Sequence, residues 1–139
     1  MNLPVVIIGG GGHAKVLIES LLLNSIKIMS IIEVDEGLIG KKILGIPVID
    51  NRVFSLEYKV NEIKLVNGIG FTKYSEKRQI TFKKYKNLGF IFESVIHPSA
   101  IISSNANLSE GVQIMAGAVI QAGTKIDCNA VVNTKVSVD

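Results

Sequence analysis

"VIHPSA-IISSNA-NLSEGV-QIMAGA-VIQAGT-KIDCNA-VVNTKV-SVD" is how residues 95–139 read when written in sixes. The second position of each six is Ile96, Ile102, Leu108, Ile114, Ile120, Ile126, Val132 and Val138, all aliphatic. The sixth is Ala100, Ala106, Val112, Ala118, Thr124, Ala130 and Val136, all small or β-branched. A helix of 3.6 residues per turn cannot keep a strict period of six on one face, whereas short strands joined by turns can. The pattern predicts a solenoid in which each six forms one flat side and three sides close a triangular coil. The aliphatic residue points inward and the small one fits the corner beside it. Gly111, Gly117, Gly123 and Asn129 share one phase, just before the corner, where φ > 0 suits Gly or Asn. A β-meander with accidental spacing would need eight coincidences in a row. The rhythm is still running at Asp139, which holds the third place of an unfinished six.

Upstream of the repeats, "PVVIIGGGGHAKVLIESLLL" (residues 4–23) is an apolar run, a glycine cluster and then a helix. Val5 to Ile8 reads as a buried parallel strand. Val16, Leu17 and Leu21 are expected to give the helix its inward face. Gly9, Gly11 and Ala14 fit G-x-G-x-x-A, a turn that lets backbone approach a phosphate at a helix N-terminus. A second strand, "IKIMSIIEVD", ends in Glu33 and Asp35, where a ribose or base would be held. "GIPVIDN", a short helix at Val53–Tyr58, "IKLVNGIG" and "FIFESVI" continue the alternation of strand and helix. The fold class is therefore α/β plus a β-solenoid, with a small Rossmann-like parallel-sheet unit over 1–94 and repeats over 95–139. About 94 residues supply only one mononucleotide half. A ligand smaller than a dinucleotide fits better, although an NAD-type binding module stays open.

Apolar residues make up 47%, enough for a core, and no run approaches the 18 or so needed to span a bilayer. "MNLPVVIIGG" has neither the basic n-region nor the cleavage site of a secretory signal. One cysteine, Cys128, excludes an internal disulfide framework and suits a reducing cytoplasm. Cys128 is expected to pack as a small buried side chain. Formal charge is +3, but Lys59–Lys86 holds eight Lys/Arg against two Glu. Most of that excess lies in "KYSEKRQITFKKYK", an amphipathic helix ended by Gly89. It is either a solvated face or an attraction for a phosphorylated small ligand. No aromatic platform or recognition motif supports nucleic acid.

Taken in order, "IIGGGGHAKV", "GIPVI", "IGFTKYSEKR", "IHPSAIIS" and "VVNT" resemble the NeuD/PglD-type sugar O-/N-acetyltransferases, a branch of the hexapeptide-repeat, left-handed β-helix acyltransferases. The resemblance, not the spacing, implies the left-handedness. It implies a front domain that holds a nucleotide sugar, UDP-linked and carrying an amino or deoxy sugar. It also implies acetyl-CoA bound by the β-helix between subunits of a homotrimer; no metal, nucleic acid or membrane is expected. The substrate-binding residues it points to are Gly9, Gly10, Gly11, Gly12, His13, Lys15, Asp35, Gly68, Gly70 and Arg78, with Glu33 a weaker candidate. Read from the residues alone, His13 is a donor to a phosphate or sugar oxygen, or else a helix cap. Lys15 is a pyrophosphate contact or a solvated lysine.

In relatives an Asn matching Asn133 helps hold the acceptor amine and lies seven positions before the catalytic histidine. That places the general base just beyond Asp139, at position 140. These 139 residues are therefore expected to lack it and most of the acetyl-CoA site, and to be inactive alone. A non-catalytic sugar-nucleotide sensor or assembly module is the competing expectation. His97, before Pro98, is expected to fix the junction into the first coil rather than to act as the base.

Overall fold

The computed structural model describes residues 2–139. β1 (Val5–Ile8) leads through the glycine loop into α1 (Gly12–Leu23), followed by β2 (Ile28–Glu33), β3 (Lys42–Ile43), β4 (Ile46–Asp50), α2 (Asn51–Glu57), β5 (Lys64–Asn67) and α3 (Lys77–Asn87). The sheet order is β3-β4-β2-β1-β5. All pairings are parallel except β3 with β4, an antiparallel edge that the sequence pattern does not announce. Phe92 adds a further parallel bridge beside Leu65 at the other edge.

β1 is apolar throughout because both faces of the sheet are covered. Val5 and Ile7 pack with Leu17, Ile18 and Leu21 of α1, whereas Val6 and Ile8 pack with Phe54 of α2 and Tyr85 of α3. Val16 is an exception to the inward face expected of α1. It is 46% exposed, because the buried stripe runs through Ala14, Leu17, Ile18 and Leu21 instead. α3 begins at Lys77, four residues later than expected at Lys73, and Gly89 beyond its end has φ +97. "FIFESVI" is not one strand. It provides the Phe92 bridge and then the first strand of the solenoid.

Eight two-residue strands follow: β6 (Val95–Ile96), β7 (Ile101–Ile102), β8 (Asn107–Leu108), β9 (Gln113–Ile114), β10 (Val119–Ile120), β11 (Lys125–Ile126), β12 (Val131–Val132) and β13 (Ser137–Val138). Each occupies the first two positions of a six. Their ladders are β6-β9-β12, β7-β10-β13 and β8-β11, all parallel. Partners such as Val95 and Gln113 are therefore three sixes apart, the triangular coil read from the sequence. The second-position aliphatics form one interior cluster with Ala100, Ala106, Val112, Ala118 and Ala130 of the sixth positions, whereas Val136 is 40% exposed. The fifth position is left-handed at Gly111, Gly117, Gly123 and Asn129, and also at Lys135, with φ 62.

The β6-β9-β12 side lies against the α/β unit. Val95 and Met115 belong to the same buried cluster as β1 and α1. Asn24, just past α1, donates from Nδ2 to the Ile96 carbonyl at 2.7 Å. Glu110 forms a second clasp, accepting from Phe92 N–H at 2.9 Å and pairing with Lys86 of α3 at 2.9 Å.

Candidate functional site

Strand order reverses at β1: the chain runs outward through β2 and β4, then returns to β5 on the other side. Loops after β1 and β5 thus meet at the carboxyl ends of the strands, the usual binding crevice of an open α/β sheet. Gly9 (φ +88) needs the left-handed region, and a Cβ there would sit 2.9 Å from the Ile69 side chain. At Gly68 a Cβ would lie 2.6 Å from the Ile8 carbonyl oxygen and 2.7 Å from that of Gly9. Gly68 therefore serves first to let the two loops close on each other. Gly11 and Gly12 face open space, with no neighbour within 4 Å of the missing Cβ. Gly70 lies over His13, its missing Cβ 3.4 Å from the His13 Cβ.

Glu33 is spent on the backbone. Its carboxylate accepts from Gly10 N–H at 3.2 Å and from Val34 and Asp35 N–H at 3.1 Å each, clipping the end of β2 to the glycine loop. Asp35, exposed next to it, uses one oxygen on Gly37 N–H. Lys15 is exposed on α1, and among the described residues it makes no ion pair.

His13 is half-buried, and its Nε2 lies 2.7 Å from the Gln113 Oε1 of β9. Burial holds the imidazole below its ordinary value. The hydrogen bond to Gln113 opposes that, and the Arg78 charge adds to it. Gln113 Nε2 in turn donates to the Asn67 carbonyl at 2.8 Å. Asn67 ends β5, and its side chain donates to the Asn129 Oδ1 and the Arg78 carbonyl.

Arg78 is 6% exposed. Its guanidinium donates to the carbonyls of Asn67 (3.1 Å), Ile69 (2.7 Å) and, from Nε and Nη2, Asn129 (3.1 and 2.8 Å). Four of its five N–H groups are thus committed to backbone. These bonds join the loop after β5 to a solenoid corner, and Arg78 also lines an adjoining cavity. Burial pulls its pKa down to about 10, so it stays charged at neutral pH, and among the described residues no carboxylate pairs with it.

Beside Arg78 opens a cavity of ≈ 660 Å³ between the loop before α3 and the corner where the second coil passes into the third. Phe71, Ser75, Gln79, Cys128, Asn129 and Asn133 contribute to its wall. That volume suits a small organic ligand. Cys128 is exposed there, contrary to the expectation of a buried side chain. It holds the fourth position of its six, and only the second and sixth face inward.

Asp139 is not a member of this site. It follows β13 as Asn133 follows β12, one six later and therefore one side further round the triangle. Its side chain is exposed and does not line the cavity, and among the described residues it makes no ion pair.

His97 lies two ladder partners below Asn133 on the same side. Its Nδ1 accepts from Ser99 N–H at 3.0 Å and lies 2.8 Å from Ser99 Oγ, which itself accepts from Gly117 N–H. These contacts hold the first turn of the solenoid, as expected of His97. The described residues hold no group of three or more His, Cys, Asp or Glu suited to a metal ion, and none of their helices is long and apolar enough to cross a membrane.

The sequence did not mark Gln113, Asn67 or Asn129 as members of one network. The available signal was a polar residue, Gln113, on the side of the solenoid where Val95 and Val131 stand at the same position.

Residues 4–85 match the family defined by the PglD N-terminal domain. No curated protein matches the chain significantly. Among solved structures, a histidine-to-asparagine mutant of perosamine N-acetyltransferase from Caulobacter crescentus, in complex with CoA and GDP-perosamine, is 37% identical with a TM-score of 0.85. The match covers 97% of this chain and 62% of that one. The acetyltransferase domain of PglB from Neisseria gonorrhoeae, in complex with acetyl coenzyme A, is 28% identical with a TM-score of 0.80. There the match covers 100% of this chain and 65% of that one.

Proposed function

Because the chain belongs to the PglD N-terminal domain family, of NeuD/PglD-type sugar acetyltransferases, we propose that it is the nucleotide-sugar-holding part and first coils of an enzyme that moves acetyl from acetyl-CoA to a nucleotide-linked sugar. The observation that carries this reading is the cavity beside Arg78. It puts Asn133, the residue that the resemblance assigns to the acceptor, in one wall with the loop that follows the nucleotide-binding crevice. These residues span 62% of the length of the Caulobacter relative, so the activity proposed is that of a longer protein.

In this scheme the open face at Gly11 and Gly12 receives the diphosphate, and His13, Lys15 and Gly70 lie around it. Asp35, with one oxygen unengaged among the described residues, takes the nucleoside. The acceptor amine or hydroxyl reaches Asn133. A nucleophile attacking a thioester must lose a proton, and an imidazole titrating near neutrality suits that task. The base is proposed to be a histidine at position 140, directly after Asp139. The relative solved as a histidine-to-asparagine mutant supports attention to such a residue. A homotrimer is proposed to pack through the β7-β10-β13 side, where Ile101 is 67% exposed and stands in line with Val119. The surroundings proposed are cytoplasmic.

The base of the nucleotide has two candidates. A UDP-linked sugar is the expected class, while GDP-perosamine bound to a 37% identical relative favours a guanine nucleotide. Titration with UDP, GDP, CMP and NAD separates them, and NAD binding tighter than every sugar nucleotide overturns the reading. In a protein that extends through position 140, Asn133→Ala should lower kcat/KM about 10²-fold by misplacing the acceptor. Unchanged kcat/KM removes Asn133 from the site.

A further inference from the structure

Gln113 stands where its solenoid side otherwise carries valine, yet it is 1% exposed and both ends of its amide are engaged. The Asn67 carbonyl can only accept, so the Gln113 NH2 points at it and Oε1 is turned toward His13. Oε1 can only accept too. The 2.7 Å contact therefore requires the proton of His13 on Nε2. A neutral imidazole has one N–H, which leaves Nδ1 as a lone pair. Among the described residues Nδ1 has no hydrogen-bond partner.

We propose that Gln113 is a positioning residue that locks the His13 tautomer, so that a phosphate group arriving at the glycine loop is bound together with one proton at His13 Nδ1. The proposal rests on the nucleotide reading above. A phosphate oxygen facing a lone pair is repelled, and facing an N–H it is held by a charge-assisted hydrogen bond. With Nε2–H committed to Gln113, only the imidazolium offers that second donor.

The surroundings keep the ring neutral until then. Burial and the Arg78 charge from α3 hold it below its ordinary value. Gln113 on β9 and Gly70 in the loop after β5 are uncharged, Lys15 on α1 is exposed, and Glu33 at the end of β2 is turned onto backbone N–H groups. Between the free and ligand-bound values of His13, affinity for a phosphate ligand should fall about tenfold per unit rise in pH.

Calorimetric titration of UDP and GDP at pH 7.5, in buffers of differing ionisation enthalpy, reads the proton directly, and nitrogen NMR of the ligand-free protein reads the tautomer. Expected are the Nε2–H form in the free protein and uptake approaching one proton on binding. In Gln113→Leu the ring is free to place its proton on Nδ1, so uptake should vanish while binding persists. Wild-type binding without uptake, an Nδ1–H tautomer, or undiminished uptake in Gln113→Leu overturns the proposal alone. No binding of either nucleotide to a protein that shows the Nε2–H form overturns the nucleotide reading, and this proposal with it. The wild-type titration and the ring spectrum decide the matter whether or not the leucine variant folds.

Discussion

Replacing Arg78 by Met keeps much of the side chain's volume and removes the clamp between the α/β unit and the solenoid. Three carbonyls lose a guanidinium donor: Asn67, Ile69 and Asn129. Asn67 keeps a partner, since Gln113 also donates to it. Ile69 and Asn129 are left without this donor, at about 1–3 kcal/mol each. Against that, the variant no longer buries a charge that lacks a carboxylate partner, which returns part of the loss. A net destabilisation of about 2–4 kcal/mol is expected, or roughly 10 °C in Tm for a chain of this size. Arg78→Lys should lose more than half as much, because one ammonium cannot reach three carbonyls that a planar fork spans. Urea unfolding followed by two independent probes measures both. If both variants fall within about 0.5 kcal/mol of wild type, the clamp contributes nothing and the two parts are held by their shared apolar cluster alone.

Two further outcomes can be checked on the same protein. Gly68→Ala should destabilise strongly, since its Cβ would sit 2.6 and 2.7 Å from backbone oxygens, whereas Gly11→Ala, facing open space, should leave thermal stability nearly unchanged; equal melting shifts would contradict the packing described. His13 is held below its ordinary value of 6.5, so as pH falls the unfolded chain takes up that proton first. Its contribution is therefore intact above about pH 6.5 and lost as pH falls through the folded value, and His13→Asn should flatten that part of the stability–pH curve between pH 7.5 and 5.

The solenoid was legible because a period of six, held for eight turns of the pattern, leaves few other foldings, and Ile114 and Ile120 are buried as the pattern requires. β1 was legible for the same kind of reason: four apolar residues before a glycine loop suit a strand covered on both faces. Val16 and Cys128 were misjudged because residue type was allowed to stand for position. The stripe of α1 passes Val16 by, and the fourth place in a six faces outward whatever occupies it. The network around Arg78 was illegible for a different reason. Gln113 reaches His13 across 100 positions and Asn67 across 46, and no local pattern encodes contacts created only when the solenoid folds back onto the sheet. Arg78 itself was singled out through the resemblance, which carries no word of its bonds to the Asn67, Ile69 and Asn129 carbonyls.

The eighteen-residue repeat of the ladders, as between Val119 and Ser137, also works like a thread on a screw. Suppose six residues were deleted between Gly111 and Asn129. Every later side chain would keep its inward or outward sense, and the interior would still fill. Asn133, however, would be carried roughly a third of a turn around the axis, away from the α/β unit and out of the cavity wall. Deleting eighteen would restore the side but lower Asn133 by one rung, roughly 5 Å. Lengthening or shortening this protein is thus tolerable to its stability at sixes, yet the acceptor end of the proposed site survives only one pitch and one phase. Homologues that vary in length should vary after the last coil that touches the sheet, not before it.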